Sequence, residues 1–571
     1  MNYTIKKIYK SISFGSLACA MTLNLASCSD FLDVEPTGSI PEDVVFSELK
    51  NVEPLVDGLP KKFRDCKAGR NGLMPYLGTD ETQQGNFQLN SSGDQAGMDK
   101  YNGQLNPTST QVKTIWDNRW PTVASAAKAI YALGKVQPKE EGDETKIKQL
   151  LGEASFFRGM LMYELAMYWG NIPIIDMTRT EELGTGPQPL KDVWTFIIND
   201  FVVAGKSLPD SYGQEDVAKP TSGAACAMLG KAYMSAPKET GLRNFEKADS
   251  CFNEIIGRYQ LVTNYRDLFD NTKENENNYK PNSSESIFEL QFNCKPDDDR
   301  NSWEFDCGSR ACDAWFTQGC SFAGYDFLVP TPFMYRTVAE GGIWEDGDLR
   351  KDVAIRYDFT YNTNKYKPGT DDKGNPIWVD NDNPDNYYDV TPDLTKTNWT
   401  GTTDELKPHI KKFEDYRTDI QSGLGINNMW NSGKTHPLIR LADVILLHAE
   451  CLNELNHTAE AVKLVNDKIR ARAWGWNLPA DKRWNEGMSQ DEFREKIMDE
   501  RMRELCFEGW RRIDLLRTGN FVKLVKERNQ WAHESGTIQD FHQRYPIPDT
   551  EIQTNEDYEP EDQNPGYTVA E

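Results

Sequence analysis

Apolar residues recur with the helical period through much of the chain. Leu441, Val444, Ile445, His448, Leu452 and Leu455 fall on one stripe, with Arg440, Asp443, Glu450 and Glu454 off it. After the turn at Asn456-His457, Thr458 is an N-cap by residue type, and Val462, Val465 and Ile469 carry the period into a second helix. Ala449 and Ala461 stand where the two helices must approach, which is tetratricopeptide spacing. Leu229-Gly230-x-x-Tyr233 followed by Ala248-x-x-x-Phe252 repeats the pattern with about three extra residues in the turn. Gln111 to Val136 and Glu144 to Trp169 make a further pair. Ser489-x-x-Glu492 is a capping box that opens a helix through Cys506, and Gly509 marks its interruption.

Between Pro296 and Pro437 the helical period fails. Asn, Asp, Gly, Pro and aromatic residues dominate there, which predicts long loops and short strands mounted on the scaffold. About 140 residues is too long for a simple loop, so the stretch is expected to be a subdomain. The predicted fold is mainly α, a helical scaffold with tetratricopeptide-like helix pairs plus an irregular, loop-rich subdomain. Its parts are a leader over 1–27, a helical part over 28–293, the aromatic-rich subdomain over 294–436, and a C-terminal helical part with an extended tail over 437–571.

Charge narrows the function. The 571 residues hold 64 Lys and Arg against 89 Asp and Glu, a net charge of -25. That balance excludes a nucleic-acid surface, where basic stripes supply most of the affinity. Mean hydropathy is low at -0.68, while aromatics reach 11% of the chain. The N-terminus differs from the body. Lys6, Lys7 and Lys10 precede a short apolar stretch from Ile12 to Leu25, the layout of an export signal. It ends Leu25-Ala26-Ser27-Cys28, a lipoprotein lipobox in which Cys28 receives the lipid after cleavage. Ser16-Leu17-Ala18-Cys19 is a weaker match. Loss of residues 1–27 removes three Lys and no acid, which deepens the net charge to -28.

Of the eleven Cys, Cys226, Cys251, Cys451 and Cys506 sit singly in helical patterns and read as small buried hydrophobes. Cys294, Cys307, Cys312 and Cys320 cluster in the irregular stretch. With no C-x-x-C pair and no neighbouring His, one or two disulfides are expected there rather than zinc, with pairing left open.

Five blocks together resemble the SusD/RagB family of outer-membrane lipoproteins. They are Cys28-Ser29-Asp30-Phe31-Leu32-Asp33; Gly152 to Gly159 with Tyr168-Trp169-Gly170-Asn171-Ile172-Pro173; Ile439 to Val444 with Ala449 to Glu454; Glu500 to Gly509 with Asp514-Leu515; and Tyr545-Pro546-Ile547-Pro548 with Gln563 to Tyr567. The resemblance implies a cell-surface, outer-membrane lipoprotein that binds a nutrient, usually a glycan. It also implies a partner, a SusC-like TonB-dependent transporter on which the protein acts as a lid. A peptide-binding lid of a RagA-like transporter is the alternative within the family. The match is poor over 75–110 and 294–435, where ligand specificity is expected.

No H-E-x-x-H, G-x-S-x-G or P-loop occurs, and all six His follow residue 408. Asp297-x-Asp299-x-Asn301 and Asp380-x-Asp382 resemble calcium loops but lack the Gly at position six and the Glu at position twelve, so no metal or cofactor is expected. A glycosidase needs two carboxylates flanking a sugar bond. Glu504 and Glu508 are one helical turn apart, but Arg501, Arg503, Arg511 and Arg512 crowd them and argue for an ion-pair network instead. No catalytic residue is expected. Ligand binding is expected at Trp303, Trp315, Phe316 and Tyr325, within an aromatic set that includes Phe305 and Trp344. Phe87 and Tyr101 are expected on the opposing rim, because rigid aromatic faces stack on pyranose rings. Asp306, Arg310 and Asp313 are the candidate hydroxyl partners.

Overall fold

The computed structural model describes residues 41–91, 93–176, 185–272, 274–293, 301–309, 312–313, 324–357, 359–361, 366–370, 376–380, 388–390, 407–415 and 432–568. The chain divides into two units, residues 1–45 and 46–571. The described part of the first is Pro41 and the helical turn Glu42–Val45.

The second unit is built on the helix Asp143–Trp169, in which every residue from Gly152 to Trp169 is buried. Such a helix is covered on all sides and must lie inside the fold. Its glycines explain how tightly. A Cβ on Gly152 would lie 2.9 Å from Ser207 Cβ, and one on Gly159 would lie 3.0 Å from a ring carbon of Phe201. Both neighbours belong to the helix Leu190–Ser207, whose side chains therefore rest directly on the backbone of the central helix. The buried charges on the central helix are matched. Arg158 donates to both Asp200 oxygens at 2.9 and 2.7 Å, and Glu164 accepts from Arg119 at 3.0 Å and from Lys67.

Two helix pairs form as the sequence predicts, whereas the stretch Gln111 to Val136 is divided at Asn118-Arg119 into two helices, Thr110–Asp117 and Trp120–Leu133. Ser222–Ser235, capped by Thr221, packs on Phe245–Ile256, capped by Asn244. A Cβ on Gly230 would come 2.5 Å from Phe252, so this glycine is where the pair closes. Leu441–Glu454 packs on Thr458–Leu464, and the chain continues through a wider π-type turn over Val465–Arg470. His457, not Thr458, occupies the N-cap, because the Thr458 hydroxyl instead donates to Asn453 Oδ1 at 2.8 Å. Ser489 caps Gln490–Leu505 through Glu492 N at 3.1 Å. That helix stops before Cys506, since Phe507 (φ 64°) and Gly509 (φ 87°) turn left-handed.

Ser286–Leu290 pairs antiparallel with His436–Arg440, so the chain leaves for its irregular stretch and returns from it along one ribbon. Within the stretch the strands are short. Phe359–Tyr361 lies between Cys312–Asp313 and Tyr388–Val390, and Tyr366–Thr370 pairs with Pro376–Asp380. The C-terminal tail closes over the end of the central helix. Trp169 Nε1 donates to Pro546 O at 2.8 Å, and Asn564 Nδ2 donates to the carbonyls of Trp169 and Tyr545 at 3.0 and 2.7 Å.

Candidate functional site

The two segments expected to hold specificity meet in space. Thr82–Gln83 pairs antiparallel with Val329–Pro330. Next to this ribbon Gly85 N donates to Asp326 O at 3.0 Å, and Gln88 Nε2 donates to Tyr325 O at 2.7 Å. Phe87, on the helix Asn86–Ser91, is 41% exposed beside these bonds. Tyr325 is half-buried. The Arg70 guanidinium stands 4.0 Å from its ring centroid, and Phe305 stacks on it at 6.0 Å. Asp306 fixes Arg70 with bonds of 2.8 and 3.0 Å to Nη2 and Nε and accepts from Ser302 Oγ at 2.7 Å. Burial pushes the Asp306 carboxyl up, with Arg70 and Ser302 pulling the other way. The result is a rim of one exposed ring, one clamped tyrosine and one oriented guanidinium. It can hold the apolar face and the hydroxyls of a ligand.

Other predicted site residues are elsewhere. Trp303 is 3% exposed, and its indole N–H donates to Gly69 O at 3.1 Å. His436 and Phe413 pack on it at 4.6 and 5.0 Å between ring centroids. It is a core residue under the rim, because a one-turn helix, Trp303–Cys307, rolls its ring inward. Tyr101 is 1% exposed, with its hydroxyl bonded to Gly78 O and to Arg512. Phe305 and Trp344 are also buried. Asp306 serves Arg70 rather than an open surface. Cys307 is a buried free thiol in this structure, and burial pushes its pKa well up. Trp315, Phe316, Arg310, Cys294, Cys320, Asp297, Asp299 and Asp382 lie outside the described residues, as does Cys28. For Cys312 and Asp313 only the backbone is described. Arg70 and Gln88 carry no signal in the sequence, since each stands in a helix of only five or six residues, Gly69–Leu73 and Asn86–Ser91, too short to show a period.

The paired carboxylates are a structural network. Arg440 Nη1 donates to Glu285 at 2.8 Å and Glu504 at 2.6 Å, and its Nε donates to Glu508 at 2.8 Å. Arg350 reaches Glu504 at 2.9 Å and Glu500 at 2.8 Å, and Arg472 reaches Glu504 at 2.5 Å. Burial alone would push the Glu504 carboxyl up, but Arg472, Arg440 and Arg350 outweigh it and hold it far below the usual carboxylate range. A general acid needs the opposite shift. Glu81 has that shift, pushed up to about 8 by burial against its bond from Phe507 N–H. It is only 3% exposed, so no sugar bond reaches it. Among the described residues, no group of His, Cys, Asp or Glu is placed to hold a metal ion.

Comparison with known proteins agrees with this architecture. A model described as the SusD family matches residues 284–567, and one described as "Starch-binding associating with outer membrane" matches residues 30–234. "SusD-like protein P2" of Formosa agariphila is 25% identical, covering 96% of this chain and 98% of its own length. "Starch-binding protein SusD" of Bacteroides thetaiotaomicron is 23% identical, covering 98% and 99%. Among solved structures, a "Laminarin binding SusD-like protein" aligns with TM-score 0.65 at 22% identity, over 91% of this chain and all (100%) of that one. "Surface glycan-binding protein A from Bacteroides thetaiotaomicron" aligns with TM-score 0.66 at 16% identity, over 91% and 100%.

Proposed function

The chain belongs to the SusD family, and from that premise we propose that it is a cell-surface lipoprotein, anchored through Cys28 in the outer membrane, that binds a glycan and passes it to a SusC-like TonB-dependent transporter. It does so by binding and not by catalysis. One observation carries the glycan reading: Arg70 and Phe87, from one stretch near the N-terminus, share one rim with the distant Tyr325 around the Gly85–Asp326 and Gln88–Tyr325 bonds. An exposed ring stacks on a pyranose face, while a guanidinium held by a buried carboxylate offers its remaining donors to hydroxyls. Relatives named for laminarin, starch and surface glycans support the same class.

The test is native affinity electrophoresis in gels containing laminarin or soluble starch, followed by a reducing-end assay on the mixtures. At least one polysaccharide should retard the protein, and no new reducing ends should appear. Retardation by neither, with tight binding of an oligopeptide mixture, would overturn the glycan reading in favour of a peptide lid. Release of reducing ends would overturn the binding-only assignment.

Anchoring has its own expected result. Among the described residues no helix is long and apolar enough to cross a membrane, so attachment rests on the acyl chains, each buried CH2 of which adds about 0.8 kcal/mol. Cys28→Ala should leave a folded protein in the soluble fraction of cells lacking the transporter. Finding it still in their outer-membrane fraction would sink the lipid anchor.

A further inference from the structure

Among the described residues, the exposed aromatic rings are Phe87 and Trp476, the latter at 45%. Trp476 is built into an unusual turn. The chain leaves its helix at Ala473, buries Trp474 and then takes two successive left-handed residues, Gly475 (φ 61°) and Trp476 (φ 65°). Glycine adopts that conformation freely, but a bulky side chain does so only where surrounding bonds impose it. Here Trp476 N donates to Ala471 O at 2.6 Å, Asn477 N donates to Trp474 O at 3.1 Å, and the indole N–H donates to Thr263 O at 2.8 Å. The ring is thus fixed in orientation with its one polar atom satisfied by the protein. What remains open to solvent is apolar.

We infer that Trp476 is a second carbohydrate-stacking platform, built from different segments than the Phe87–Tyr325 rim and engaging another pyranose unit of the same polysaccharide. This rests on the glycan-binding reading of the protein. Two features favour a sugar over a docked protein. The apolar patch is small, the indole plus Leu349, which is 54% exposed and 3.5 Å from where a Gly475 Cβ would lie. A stable protein interface needs about 800 Å² from each partner, whereas one indole covers about one sugar ring. Its exposed polar neighbours include Thr263, Asn264 and Asn477, hydroxyl and amide groups suited to sugar hydroxyls, with the Asn264 amide also donating to Asp267 at 3.3 Å. Two platforms on one chain add their effects on a long polymer but not on a short one.

The experiment compares wild type, Trp476→Gly and Trp476→Phe in laminarin and soluble-starch affinity gels, after melts confirm each fold. Gly removes the ring and suits the left-handed backbone, so the fold is retained. Trp476→Gly should lose about tenfold or more in affinity for whichever polysaccharide retards the wild type, and Trp476→Phe should keep most of it. Unchanged retardation of Trp476→Gly overturns the platform while leaving the rim intact. So does unchanged retardation combined with lost co-purification of the transporter, which would make the ring a protein contact. Wild type retarded by neither polysaccharide overturns both this inference and the glycan reading. Should Trp476→Gly fail to fold, oxidation of wild type with N-bromosuccinimide and peptide mapping decides. Protection of Trp476 by the retarding polysaccharide supports the platform, and equal oxidation with and without it overturns it.

Discussion

Arg440→Ala should destabilise the fold by about 3–5 kcal/mol, the cost of leaving buried charges without their partner. Arg440 is 1% exposed and bridges Glu285 to Glu504 and Glu508, which come from two segments far apart in the chain. Removing it leaves Glu504 with Arg350 and Arg472, and Glu508 with Lys412. A salt-bridge-free replacement of the whole network could match its stability, but loss of one member does not. The pH dependence gives a second check. Glu504 in the folded protein ionises well below its ordinary value of 4.5, so its contribution is fully present above that pH and is lost as pH falls through the folded value. The gap between wild type and Arg440→Ala should therefore be widest above pH 4.5 and close in stronger acid. Denaturant melts across pH measure it. A gap below about 1 kcal/mol at neutral pH, the size of an exposed pair, would show that the cluster contributes no more than surface charges do.

Phe87→Ala and Tyr325→Ala should each weaken glycan binding by about 1–3 kcal/mol, or roughly 5- to 150-fold, the range of an interface anchor. Trp303→Ala should behave differently. It empties a packed site bordered by Phe413 and His436, so it should cost about 3–5 kcal/mol of stability while leaving the affinity of the folded fraction close to wild type. Calorimetry with the retarding polysaccharide, paired with thermal melts, separates the two effects. Wild-type affinity in both Phe87→Ala and Tyr325→Ala would move the ligand away from this rim.

The helical scaffold was legible because a helix repeats its chemistry every turn. Leu441 to Leu455, the Ser489 cap and the Gly230 closure could each be read locally, and the structure places them where that period requires. The crowding of arginines around Glu504 was likewise enough to argue against a catalytic acid. The rim was half legible. Loop composition points to Phe87 and Tyr325, but equally to Trp303 and Tyr101, which are buried. It carries no signal for Arg70.

What the sequence by itself determined was therefore the scaffold and the character of the buried charges, since period, caps and small residues act between neighbours in the chain. The tertiary structure alone decided which aromatic rings face solvent and which cations sit beside them. Trp303 and Trp476 both stand where no period assigns a face. One is covered by Phe413 and His436 from distant segments, while the other is fixed in a left-handed turn by backbone bonds and by its indole bond to Thr263 O. Burial of a ring in an irregular loop depends on what packs against it from elsewhere in the chain, and no local pattern encodes that partner.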